Sequence, residues 1–369
     1  MASISFQAGP TNYPHLPIEV KEKIIHDTVT NVLTSPHETP PQSQQSSSTA
    51  GNSNPDQLVR NKSRQLFALM TTNTEFMELM LNDMRRYPDV KVSQSLNAVA
   101  LNSIMRKRTP KAFEDMMRNF LKSASHIDLS HRSVTPFLNS NRLTFIVDQL
   151  AGTESRHLQK AVLHVSDNNE WEAIKERLAQ IRQANPGLSI HMAFSDKIRQ
   201  EYSFLPSDLP SVLSANENVK GLKLGVIVRP GGQDPVQVFS FLPVTSINEL
   251  TLQRTSIEDL QGLNGVLLMP GCKVNTLNLG TMKNFVWSGN IEQLTPTLQD
   301  PASPVRKVQL NGPWGTEAAA PLMHAASHPG SLLRALDFSG VSDAGRFAAA
   351  LGNQIAPFAE RGVTITLPQ

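Results

Sequence analysis

Cys272 is the only cysteine in the chain. It is therefore the one thiol nucleophile on offer, and no intramolecular disulfide or cysteine-built zinc site can form. A lone cysteine points to a reducing compartment. The local sequence is Gly271-Cys272-Lys273-Val274, with no acidic residue following at the neighbouring positions to tune a thiolate. The reading is a buried or turn cysteine rather than a catalytic one. Ten histidines are scattered along the chain and none forms His-Glu-x-x-His, so no metal site is expected. Pro230-Gly231-Gly232 is a turn signal without the Lys-Ser/Thr of a phosphate loop. Arg106-Lys107-Arg108 with Lys111 reads as a solvated basic patch near a helix break rather than a nuclear address. No catalytic residue, metal or cofactor is predicted.

The totals exclude more. The 34 basic and 32 acidic residues leave a formal charge of +2, which makes no electrostatic case for nucleic acid or a membrane surface. No apolar run reaches the roughly 18 residues of a membrane-spanning helix. The opening Met1–Pro10 lacks the basic and long apolar segments of a cleaved secretory signal. With 369 residues, two or three domains are expected.

The elements that would position a binding site follow in order. Residues 1–15 are polar and read as disordered. Leu16-Pro17-Ile18-Glu19-Val20-Lys21-Glu22-Lys23-Ile24-Ile25 puts proline at a helical first position. It then places Leu16, Val20, Ile24 and Ile25 on one side. Residues 34–55 form a Ser/Pro/Gln-rich tract with almost nothing to bury, read as a flexible insertion. Helices are predicted over 57–70, 75–84, 92–105 and 110–122, those from 86 to 122 forming a linker or cap.

From residue 123 onward the pattern becomes short apolar alternations. An apolar-x-x-Leu-x-Leu unit occurs at Val219/Leu222/Leu224, Ile247/Leu250/Leu252 and Val274/Leu277/Leu279, then at Val305/Val308/Leu310 and Leu333/Leu336/Phe338. The fourth positions are 28, 27, 31 and 28 residues apart. Weaker copies stand at Ile127/Leu129, Leu163/Val165, Ile190/Met192 and Ile365/Leu367. Residues 170–184, 317–326 and 343–351 are the helical candidates between them. This period resembles a leucine-rich repeat, a resemblance that implies a stacked α/β solenoid whose alternate residues line an open concave side. Lys223, Thr251, Gln253, Asn278, Gln309 and Asp337 are then the expected substrate-binding residues. The repeat is divergent, since Ile227, Thr255, Met282, Pro313 and Val341 stand where the family carries asparagine. A non-repetitive α/β domain is the alternative reading.

The segment Leu16-Pro17-x-Glu19-Val20 resembles the opening helix of an F-box, and Leu58-Val59-Arg60-Asn61-Lys62-Ser63-Arg64-Gln65-Leu66-Phe67 looks like its second helix. The resemblance covers residues 16–80, interrupted by the insertion, within an F-box-like region of 16–85. The fold expected is thus α/β, an N-terminal helical F-box-like domain followed by a divergent leucine-rich-repeat solenoid over 123–369. Such a resemblance implies a non-catalytic adaptor. Leu16, Pro17, Val20, Ile24, Ile25, Leu58, Val59 and Leu66 would dock on a Skp-type subunit of a cullin–RING ubiquitin ligase, while the second domain holds a target protein. The Ser/Pro/Gln-rich opening and the Ala-rich segment 342–351 are similar to GALA-like type III secreted effectors of plant-pathogenic bacteria. That implies export into a host cell, with a eukaryotic F-box protein of the cytoplasm or nucleus, or a plain binding module, as alternatives.

Overall fold

A computed structural model describes residues 23, 90–131, 133–152, 155, 157–195, 202–203, 205–227, 235–281 and 288–368. The chain divides into two compact units, Met1–Ala100 and Leu101–Gln369. Of the first, the described residues are Lys23 and the start of helix α1, Val90–Met105. The F-box-like positions Leu16, Pro17, Val20, Ile24, Ile25, Leu58, Val59 and Leu66 lie outside the described residues, as do the helices expected over 57–70 and 75–84.

In the second unit, helix α2 (Pro110–Ser123) begins where Thr109 caps Ala112 N and proline occupies the first turn. Strand and crossover then alternate: β1 (His126–Asp128), α3 (Ser140–Leu150), β2 (Lys160–Val165), α4 (Asn168–Ala184), β3 (Ser189–Phe194), α5 (Leu209–Ala215), β4 (Val219–Leu224) and α6 (Pro235–Phe239). The series continues with β5 (Glu249–Leu252), α7 (Ile257–Leu267), β6 (Thr276–Gly280), α8 (Thr295–Gln299), β7 (Lys307–Gly312) and α9 (Ala319–Ser327). It closes with β8 (Ala335–Val341), α10 (Ala344–Leu351), α11 (Ala356–Glu360) and β9 (Thr364–Thr366). A separate parallel pair joins Tyr202–Ser203 to Val226–Ile227.

These nine strands form one all-parallel sheet in which each pairs with the strand before and the strand after it in sequence. The winding never reverses, so the sheet has no switch-point crevice of the doubly wound kind. Right-handed crossovers that always advance in one direction return on the same side of the sheet. The burial agrees. Leu222, Leu250, Leu277, Val308 and Leu336 are mutual register partners across five strands, and all are buried. Leu224, Leu252, Leu279 and Leu310 form a second such row. The helices bury apolar stripes of their own, Trp171, Ile174, Leu178 and Ile181 on α4 and Leu260, Leu263 and Val266 on α7, and the Trp171 ring lies 5.8 Å from Phe194 of β3.

Local chemistry starts the crossovers where they start. Asp167 caps α4 through Glu170 N, and the buried Glu170 carboxylate accepts from Ser166 N and Oγ. Ser256 and Asp259 form a reciprocal capping box on α7. Near the first strand, the Arg142 guanidinium donates to the carbonyls of Met105, Lys107 and Phe137 and lies 4.8 Å over the Phe113 ring. One cation thereby satisfies the end of a helix and two loops.

One expectation is corrected here. From residue 123 the chain is not a divergent leucine-rich-repeat solenoid; it is an α/β fold on a nine-stranded all-parallel sheet with interleaved helices, and the F-box-like part of the expectation falls outside the described residues. The physical reason lies in what the spacing measures. A buried-x-buried alternation every 27 to 31 residues marks a short strand plus one crossover, and any sheet wound in a single sense produces it. The connections are largely helical, with α4 reaching 17 residues, and the turn positions Ile227, Thr255, Pro313 and Val341 carry no asparagine.

The alternation makes a stability prediction. Leu277→Ala removes a fully buried side chain and should lower unfolding stability by roughly 2–5 kcal/mol. Thr276→Ala, one residue away on the other face, should change it by no more than about 0.5 kcal/mol. Chemical denaturation of the two variants measures the difference, and equal losses would overturn the two-faced description.

Candidate binding face

Opposite the helices, the alternate residues of β4 through β9 are only partly covered, and this face collects most of the predicted residues. Lys223, Thr251, Asn278, Gln309 and Asp337 are register partners on β4, β5, β6, β7 and β8, and so form a single row across the sheet. Gln253 is one pleat beyond Thr251, its N–H continuing the ladder to Leu224 O. All six of these side chains are intermediate in exposure.

A second row runs beside the first: His191, Gly221, Glu249, Thr276, Lys307 and Ala335. The sequence reading missed it because the Leu-x-Leu frame counts only the residue between the leucines. The residue before the first leucine shares the same face by the same period of two. Glu249 before Leu250 and Lys307 before Val308 carried that signal.

The two rows are joined by side-chain hydrogen bonds. The Lys160 ammonium donates to Glu249 Oε2 at 3.3 Å, and Asn278 Nδ2 donates to Glu249 Oε1 at 3.1 Å and to Thr251 Oγ1 at 3.0 Å. Lys223 Nζ donates to Ser130 Oγ at 3.0 Å, and that hydroxyl donates to Asp128 Oδ1 at 2.7 Å. Lys307 and Asp337 pair at 3.0 Å. Burial pushes the Asp337 carboxyl up, but hydrogen bonds from Ser339 and Lys307 outweigh it and hold it below the usual range. Cations and carboxylates are therefore tied to one another, and what remains to meet a partner is mostly amide and hydroxyl. Asn278 Oδ1 is buried with no hydrogen-bond partner among the described residues, an acceptor left over on this face.

At the centre, His191 lies across its neighbour strand. A Cβ on Gly221 would come within 1.8 Å of His191 Nδ1, so the ring takes the space a side chain would fill. Burial, and then the nearby Lys160 charge, lower its pKa to about 4 against the weaker pull of Glu249 and Asp128. Ser189 Oγ is 3.2 Å from His191 Nε2, and Glu249 Oε2 is 3.7 Å from Nδ1. The line of serine, histidine and acid is not a nucleophilic triad. The second distance is too long for a hydrogen bond, Glu249 is held by Lys160 and Asn278, and a ring with so low a pKa is a weak base.

The remaining candidates are placed elsewhere. Cys272 is half-buried in the loop before β6, and burial pushes its thiol up, the opposite of what a nucleophile needs. His324 and His328 do stand four residues apart, a spacing the sequence reading passed over. His324 is in the last turn of α9, whereas His328 lies beyond its end with Nδ1 accepting from Gly330 N. Among the described residues no three ligating side chains cluster as a metal site would require, and no helix is long and apolar enough to cross a membrane. Comparison with known protein families and with curated proteins finds no match.

The His191 geometry fixes a pH dependence. Its folded-state pKa is below the ordinary value of 6.5, so the neutral ring belongs to the folded chain. Between pH 6.5 and about 4 the unfolded chain takes up a proton that the folded one refuses. This group's contribution therefore falls as pH falls through that window and is constant above it. Lys160→Met should raise the His191 pKa, seen by NMR titration of the ring protons, and flatten the acid limb of the stability curve. An unchanged titration would show that Lys160 does not act on the ring.

Proposed function

We propose that this protein is an adaptor that holds a target polypeptide on the uncovered face of its parallel sheet and presents it to a Skp-type subunit of a cullin–RING ubiquitin ligase. The observation that carries the binding half is the row Lys223–Thr251–Asn278–Gln309–Asp337. Five strands bring polar side chains into one line, and their charges are neutralised within the face. A surface of paired charges and spare amides favours hydrogen-bonded contact with peptide groups over long-range steering of a highly charged ligand. The docking half is supported by the resemblance of residues 16–80 to an F-box, in which Leu16, Pro17, Val20 and Ile24 supply an apolar helix stripe. The likeness of the opening region to type III export regions supports action inside a host cell.

Two variants separate the halves. Leu16→Ala/Pro17→Ala should abolish retention on an immobilised Skp subunit; equal retention, or none in the wild type, sinks the ubiquitin-ligase role and leaves a binding protein. Thr251→Arg/Gln309→Arg should keep Skp retention and lose the target cross-linked by a photoreactive residue at Asn278. Cross-linking that survives both arginines removes the sheet face from the reading.

A further inference from the structure

The formal charge of +2 averages over the whole chain and conceals one local excess. Arg106, Lys107, Arg108 and Lys111 fall within six residues, and no aspartate or glutamate stands between Asp89 and Glu114 to offset them. The turn that carries them, between α1 and α2, is fixed in shape. Arg142 of α3 donates to the carbonyls of Met105 and Lys107 on one side and to Phe137 O on the other. Thr109 then starts α2 by accepting from Ala112 N. The like charges are thus held together as one surface.

That surface is unneutralised. Arg106, Arg108 and Lys111 are exposed, and among the described residues no carboxylate pairs with them. The next acids along the chain, Glu114 and Asp115, both face Arg118, at 3.7 and 3.5 Å. Beside the cations Phe137 is 37 % exposed, and the Arg106 guanidinium lies 5.5 Å over its ring centroid. Arg106 Nε donates to Asn102 Oδ1 at 3.2 Å, which holds the planar group in place. A guanidinium laid on an aromatic ring and flanked by unpaired cations complements a strand that carries phosphates and flat bases in alternation. It suits a bilayer poorly, because sinking the ring among acyl chains would take the Arg106 charge with it.

We propose that this basic turn binds single-stranded nucleic acid. Arg108 and Lys111 meet phosphates of the strand, and a base stacks on the outer plane of Arg106 above Phe137. The surface lies within the second unit, shares no residue with the row on the sheet face, and does not depend on the adaptor reading.

The test follows the fluorescence anisotropy of a labelled oligouridylate of about 12 nucleotides titrated with the full chain. Log K should fall with log salt at a slope of about −2 to −3, as for three or four neutralised phosphates on a single strand. Arg108→Gln/Lys111→Gln should reduce that slope by about 1.4, whereas Arg108→Lys/Lys111→Arg should keep it. Phe137→Leu should leave the slope alone and weaken binding about tenfold through lost stacking. An abasic strand of the same length should bind wild type and Phe137→Leu equally. Oligothymidylate in parallel separates RNA from DNA as the source of the strand, and binding of either supports the proposal. No anisotropy change at about 50 mM salt overturns it, as does an unchanged slope in the glutamine variant. So does an abasic strand held as tightly as oligouridylate, or retention on phosphatidylserine vesicles without binding of either oligonucleotide, which would assign the turn to a lipid surface.

Discussion

Everything in the second unit depends on keeping one set of alternate strand residues dry. Leu222, Leu250, Leu277, Val308 and Leu336 meet in register because a parallel ladder aligns equivalent positions of successive strands. A slip of one residue in any strand would exchange leucine for lysine, threonine or asparagine against the helices. The cost of burying those polar groups unpaired far exceeds anything the slipped ladder would gain. The hydrophobic rows thus hold the polar rows in place as a consequence, with no separate device needed to arrange them.

The uncovered face carries the mark of that arrangement. Its residues had to tolerate partial burial beside one another, so ionic groups appear as pairs. Lys160 with Glu249 and Lys307 with Asp337 contribute little net stability at such exposure. Their effect is on what the face offers a partner, which is donors and acceptors rather than net charge. His191 shows the limit of this tolerance: its ring is buried deeply enough to stay neutral, and it fits only because Gly221 has no side chain.

Legibility from sequence differed by element. The helices expected over 170–184 and 343–351 are present as 168–184 and 344–351, and the structure adds the acidic cap that starts each, Asp167 in one case and Asp343 in the other. The strands were legible from the repeated alternation, and five predicted binding residues fell in one row for that reason. The architecture was misread because a recurring strand-and-crossover distance reports the unit and not the family of folds that repeats it. Glu249 and Lys307 went unnoticed although their period was visible, since polarity beside a leucine or valine carries no label for function; His191, between Ile190 and Met192, joins their row only through a register shift on β3. The closeness of the loop after β7 to the start of α10 left no pattern at all, since the two segments are brought together only because β7 and β8 are neighbours.

What the sequence by itself determined is therefore local and periodic: which residues alternate, and where helices begin. These follow from caps and from the periods of 2 and 3.6, which need only neighbouring residues. Tertiary structure alone decided that nine strands pair in chain order into one sheet. It also decided that Lys160 reaches Glu249 across 89 positions, and that His191 overlies Gly221 and is held neutral. Those outcomes depend on distances between segments remote in the chain, and such distances are set by the packing of the whole unit.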